Sequence, residues 1–142
     1  MNQNGISTEL DYPFVQQQQT RFLPCDKNKI KPVSYQSGTL VTIQANNPYE
    51  MKQALSKQPI VASIASGSLA FQLYKSGVMS NCHGDTDINH YVLLVGYNDL
   101  ENSWTFKNSW GQTWGMQGYA KITIEQGNGL CGINMDVSHP KL

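Results

Sequence analysis

His90 and Asn108 are the residues whose types could do chemistry together. An imidazole gains and loses its proton close to physiological pH. A carboxamide oxygen beside it can engage one ring nitrogen, fix the tautomer and leave the other nitrogen for a partner. His90 stands at the mouth of an apolar run, "INHYVLLVGY" (88–97), and Asn108 stands in "FKNSWG" (106–111). Trp110 and Trp114 follow closely and could shield such a hydrogen bond from water. The pair supplies the base and the orienting group of a nucleophile–base–orienter triad. A buried His–Asn hydrogen bond with tryptophans as core accounts for the same residues without catalysis.

For the two residues to meet, the segments that carry them must be neighbouring strands. Residues 90–97 and 103–109 both read as strands, and Asn98 and Asp99 between them supply turn chemistry. If they pair through that turn, His90 and Asn108 fall at the same end of the sheet. A further strand is expected over 118–125, after a stretch dense in glycine and tryptophan, "WGQTWGMQGYA", where glycine permits tight backbone and positive φ. Upstream, residues 38–44 read as a strand rich in Thr, Val and Ile. Asn47, Pro48 and Glu50 form a helix start, with Met51, Ala54 and Leu55 on one face and Pro59 as the stop. Residues 59–65 read as an apolar strand and 69–74 as a short helical turn. The N-terminal stretch "NGISTELDYPFVQQQQ" reads as an extended loop, Pro13 disfavouring helix at Tyr12 and Gln16–Gln19 forming a solvated run. The pattern is one helix followed by several antiparallel strands, a β-rich sheet or half-barrel with helical decoration. At 142 residues, without internal repeat or linker, a single domain over 1–142 is expected.

The bulk composition removes several classes. Lys plus Arg number 10 and Asp plus Glu number 10, so no basic face points to nucleic acid or an anionic membrane. No apolar stretch approaches the roughly 20 residues of a membrane span, and "MNQNGISTEL" has no apolar signal-peptide segment. Charged residues are 14% and hydrophobic residues 39%, which permits a modest core. The cysteines are three, Cys25, Cys82 and Cys131, an odd count. In a secreted protein that implies an outside partner or a reactive thiol; in the cytosol all could be buried thiols. His83 lies in "NCHGDTD" beside Asp85 and Asp87, read as an ordinary polar loop and not a metal site. His139, before Pro140 near the end of the chain, reads as solvated. No metal, cofactor or Asn-x-Ser/Thr sequon is read from the chain.

At these blocks the sequence resembles the papain-like cysteine proteases, the family of plant papains and animal cathepsins. "INHYVLLVGY" is similar to the block around the family histidine, and "FKNSWGQTWGMQGYAKI" to the block around its asparagine. "NGISTELDYPF", "QPIVASI", "FQLYKSGV" and "GLCGI" follow the family in order, so the likeness covers nearly the whole chain. The resemblance implies an α+β fold: the antiparallel, β-barrel-like C-terminal half with short helices, the helical half being absent. It implies His90 as general base and Asn108 as its orienting amide, acting with a thiolate that attacks a peptide carbonyl. It implies a Cys82–Cys131 disulfide, and an unpaired Cys25 whose family partner lies in the absent half.

The same resemblance exposes what this chain lacks. The family nucleophile sits in a Cys-Gly-Ser/Ala-Cys-Trp/Tyr block, and neither that block nor the upstream oxyanion-hole glutamine occurs here. Three explanations follow: a two-chain protease whose partner brings the thiol, a truncated piece, or a catalytically dead pseudoprotease kept as a binding or structural module. The expected partners are a peptide or protein substrate and a second chain or missing N-terminal half bearing the cysteine. Removal of that half would expose an apolar facing surface. Ile88, Tyr91, Ser63, Asp136 and Trp110 fall at substrate-binding positions. Tyr91 replaces the small residue usual after the histidine, and either narrows the pocket for the substrate's second side chain or turns aside. Asp136 is either a pocket floor for a basic side chain or an ordinary surface Asp. The implied compartment is lysosome, vacuole or the exterior.

Overall fold

A computed structural model describes residues 6–13, 24–33 and 39–141. The Gln16–Gln19 run lies outside the described residues. The chain falls into two compact units, one within residues 1–39 and the other over 40–141.

In the first unit, β1 (Ile6–Ser7) pairs antiparallel with β2 (Pro32–Val33), Ile6 opposite Val33. A 3-10 turn, Lys27–Lys29, begins where the Asp26 side chain accepts from the Asn28 N–H. The stretch read from sequence as loop thus contributes a short strand at Ile6–Ser7.

The second unit is built on a seven-stranded sheet in the order β3-β9-β4-β6-β7-β8-β5. Its strands are β3 (Thr39–Ile43), β4 (Ile60–Ile64), β5 (Val78–Met79), β6 (His90–Asn98), β7 (Ser103–Lys107), β8 (Tyr119–Thr123) and β9 (Val137–Lys141). Helix α1 (Pro48–Leu55) starts as its sequence implies: Asn47 Oδ1 accepts from the Glu50 N–H at 3.1 Å, with Pro48 in the first turn. Glu50 reaches back to the Gln44 N–H at 3.1 Å, so the cap also ties the helix to the preceding strand end. Met51 and Leu55 are buried. The helix closes at Leu55, ahead of Pro59, which leads into β4. Helix α2 (Leu69–Gln72) is one turn, capped by Ser68 Oγ accepting from the Phe71 N–H.

The core lies where alternation puts it. Val92 and Leu94 of β6, Trp104 and Phe106 of β7, and Ala120 and Ile122 of β8 are buried, together with Ile60, Ala62 and Ile64 of β4. β6 pairs antiparallel with β4 on one side, Ile64 opposite His90, and with β7 on the other, Leu94 opposite Phe106. The turn between β6 and β7 is closed by Asn98 Oδ1, which accepts from the N–H groups of Leu100 and Glu101.

Two expectations need correction. The sheet is mixed, because β5 runs parallel to β8. Tyr74 explains that placement: its hydroxyl donates to Gly77 O at 2.6 Å and accepts from the Lys121 N–H at 3.2 Å, drawing the short strand alongside β8. As expected of a half-barrel or sheet, the sheet is open, with β3 and β5 at its edges. Finally, His139 is not a solvated tail residue. It sits half-buried in β9, its Nδ1 facing Gln58 Nε2.

Candidate active site

β6 begins at His90, and Asn108 lies one residue past β7. Because those strands are antiparallel neighbours, the start of one and the end of the other share an end of the sheet. There the structure brings the two side chains together, His90 Nε2 standing 2.8 Å from Asn108 Oδ1. The Asn108 oxygen also accepts from the Ser109 N–H at 2.8 Å. A backbone N–H can only donate, so that contact assigns the oxygen end of the amide. His90 Nε2 must therefore carry the hydrogen and donate it. In the neutral ring the lone pair is then on Nδ1, which no described residue engages. This is the arrangement a base needs: one nitrogen held, the other free to take a proton.

The surroundings keep the pair fixed and dry. Asn108 is 6% exposed, and its backbone N–H donates to Gly118 O at 2.8 Å. Trp110 lies over the imidazole, with ring centroids 5.3 Å apart and planes 29° from parallel. Fully buried Phe71 meets the same imidazole edge-on and packs against both Trp110 and Trp114. Trp114 donates its indole N–H to Phe71 O at 3.2 Å, tying α2 to the turn beyond β7. Phe71 and the Ser109 amide were not singled out from sequence. Phe71 carried only an apolar signal, and a backbone donor leaves none.

The other residues expected near substrate divide. Tyr91 is 54% exposed and donates its hydroxyl to Asp136 Oδ2 at 2.9 Å. That hydrogen bond to Asp136, then the carboxylate's charge, then partial desolvation, raise the Tyr91 phenol above its usual pKa. Ser63 is corrected: it is fully buried, so its side chain offers no surface to a substrate. Its hydroxyl instead accepts from the Asp136 N–H and donates to Gly132 O, holding the segment that carries Asp136. Ile88 is half-buried and folds over Gly132, where a Cβ would run into its Cδ1. Trp110 is 39% exposed above His90.

Cys82 and Cys131 form a disulfide, with Cα atoms 5.6 Å apart. Cys25, in the first unit, is a free exposed thiol whose sulfur accepts from the Tyr12 hydroxyl at 3.6 Å. Among the described residues, no three of His, Cys, Asp and Glu gather as metal ligands, and no helix is long and apolar enough to cross a membrane.

The model of the papain family of cysteine proteases matches residues 1–141. The chain belongs to that family. Vignain of Vigna mungo is 37% identical over 142 residues, covering 96% of this chain and 38% of the relative. The probable cysteine protease RD21B of Arabidopsis thaliana is 39% identical, covering 96% of this chain and 29% of its own length. Among solved structures, the bromelain protease from Ananas comosus in complex with the E64 inhibitor superposes with a TM-score of 0.81 at 33% identity, over 98% of this chain and 64% of that one. The Carica candamarcensis cysteine protease CMS1MS2 gives a TM-score of 0.84 at 29% identity, over 98% and 63%. The chain thus spans well under half the length of these curated relatives.

Proposed function

We propose that this chain is the base-bearing part of a papain-like cysteine endopeptidase. The reading rests above all on the His90 Nε2–H donated to an Asn108 oxygen that the Ser109 amide holds in place. His90 Nδ1 then takes the proton of a cysteine thiol, and the resulting thiolate attacks the substrate carbonyl. The imidazolium returns the proton to the leaving amine, and water later releases the acyl group. Asn108 orients the ring and Trp110 excludes water throughout. The thiol and the oxyanion hole come from a second chain, or from a part of the protease outside this sequence. The chain alone is then inactive.

The surface beside the base is the substrate-binding face. Tyr91 and Asp136 fill the pocket for the substrate's second side chain, bonded to one another. A basic side chain must displace the Tyr91 hydroxyl to reach the carboxylate. That closed contact also favours the rival reading, a degenerate protease that binds without cutting. The disulfide fits an oxidising compartment, vacuolar, lysosomal or extracellular.

Intact mass spectrometry of the native protein under non-reducing conditions separates the two readings. The peptidase reading expects a partner chain carrying the cysteine block, released from Cys25 by reductant. A different partner, or none, supports the binding module.

A further inference from the structure

Residues 125–129 lead from β8 toward the disulfide, and they fold around one amide. Asn134 is fully buried. Its Nδ2 donates to Glu125 O at 2.9 Å and to Gly127 O at 3.0 Å, and its backbone N–H donates to Asn128 O at 3.0 Å. Carbonyls only accept, so the nitrogen is the end of the Asn134 amide that faces the turn. Gly129 has φ +71°, and a Cβ there would come 2.6 Å from Asn134 Cγ. The positive φ and the buried amide both require glycine at 129. The residue before it is exposed. Among the described residues, Asn128 alone is an asparagine followed by glycine, and its side chain has no hydrogen-bond partner there. Asn102 and Asn108 are followed by serine and are held: Asn102 Nδ2 donates to Ile124 O at 3.0 Å, and buried Asn108 accepts from the Ser109 N–H and His90.

We propose that Asn128 is a site of spontaneous deamidation, and that its isoaspartate product loosens the turn around Asn134. The Gly129 nitrogen attacks Asn128 Cγ, with no side chain on glycine to hinder the approach. A C–N bond forms, the Cγ–Nδ2 bond breaks, and ammonia leaves with the proton of the Gly129 N–H. That N–H donates to Gln126 O at 3.3 Å, a long contact that gives up the nitrogen readily. Water then opens the five-membered imide at either carbonyl. Breaking the bond from the Gly129 nitrogen to Cγ leaves an ordinary aspartate. Breaking its bond to the backbone carbonyl carbon routes the main chain through Cγ, one atom longer. Nothing is oxidised or reduced, and water is the only co-reactant. Neither step involves His90, so the reaction proceeds whatever the chain's catalytic role. The two products act differently on the fold. Aspartate keeps the backbone, and its charge stands in solvent with exposed Glu125, where water and salt screen like charges. The longer link displaces Gly129 from Asn128. The bond from the Asn134 N–H and the close packing of Gly129 on the Asn134 amide then cannot both be kept. Cys131, one end of the disulfide, lies two residues further on.

The test is incubation of the full chain, disulfide intact, in mildly alkaline 18O-water, followed by reduction and peptide mapping. Each residue deamidated during incubation gains about 3 Da, the exchange of NH2 for a heavy hydroxyl. Residue 128 should carry the label before residues 102 and 108. Asn128→Gln, which would need a larger ring, should carry none at that position. Asn4 is also followed by glycine, lies outside the described residues and falls in a different tryptic peptide. A residue 128 that stays unlabelled, or is labelled no sooner than 102 and 108, overturns the assignment. The isoaspartate form, separated by chromatography, should unfold at a lower urea concentration than the fresh chain. Asn128→Asp, with the same charge on a normal backbone, should match the fresh chain. Equal midpoints for all three overturn the effect on the turn. An Asn128→Asp midpoint as low as that of the isoaspartate form assigns the loss to charge, and overturns it equally.

Discussion

The Asn108 carboxamide decides which nitrogen of His90 can act. Its oxygen is held by a backbone donor, so the ring has no freedom to present the opposite tautomer without losing the 2.8 Å bond. Asn108→Ala should therefore mix the neutral tautomers of His90, visible as averaged ring-nitrogen shifts. In a reconstituted enzyme it should lower kcat by about tenfold, the ~1.4 kcal/mol of one hydrogen bond. Unchanged ring-nitrogen shifts in that variant would remove Asn108 from the orienting role. Tyr91 gives a separate titration. Asp136 accepts from its hydroxyl and raises its pKa. A group raised on folding contributes stability below its unfolded pKa and loses it as pH rises through the folded value. Phenolate absorbance should thus show Tyr91 ionising above the ordinary range, as Tyr12 beside Cys25 also should, and Asp136→Asn should bring down Tyr91 alone. An Asp136→Asn titration that overlays the wild type would show that the contact does not form in solution.

At the scale of elements, the site depends on the β6–β7 hairpin and on the turn that follows it. Gly115 sits in that turn with φ +57°, and a Cβ there would come 2.6 Å from Tyr119 O. Backbone, rather than a flexible side chain, blocks the space. Gly115→Ala should cost about 2–3 kcal/mol, seen as a lower denaturation midpoint, and should loosen Trp114 against Phe71. The hairpin was legible in the sequence because its signals agree: an apolar run, turn-forming Asn98, and β-branched and aromatic residues in the returning strand. Asn47, Pro48 and Glu50 marked α1 equally well. β9 was not legible, since His139 and Pro140 resemble a solvated tail; its position between β3 and β4 comes from tertiary pairing alone. β5 is only Val78–Met79 and depends on the distant Tyr74 hydroxyl. Ser63 was placed at the substrate surface by likeness, whereas strand alternation and the 132–136 segment bury it.

For the whole molecule, two features bear on stability and on the proposed role. The Cys82–Cys131 disulfide closes a loop with a sequence separation of 49. A loop of that length contributes about 4 kcal/mol in the chain-entropy account. The Cys82→Ser, Cys131→Ser double variant should lose stability of that order in urea denaturation; a loss below about 1 kcal/mol would mean the unfolded state gains little from release. The second feature is the exposed face beside His90. Leu69 of α2 and Leu73, the residue that caps its end, are 70% and 67% exposed, next to the aromatic cluster around Phe71. Apolar residues so placed suit a covered surface, and the solved relatives extend well beyond the part this chain matches. The proposed function has His90 serve a thiol brought from elsewhere. Co-expression of this chain with the cysteine-bearing portion of a related protease, followed by a peptide hydrolysis assay, decides it. Turnover should occur only when both pieces are present and should be abolished by His90→Gln in this chain. Hydrolysis that survives His90→Gln, or an assembled pair that binds peptide yet never cleaves it, would contradict it.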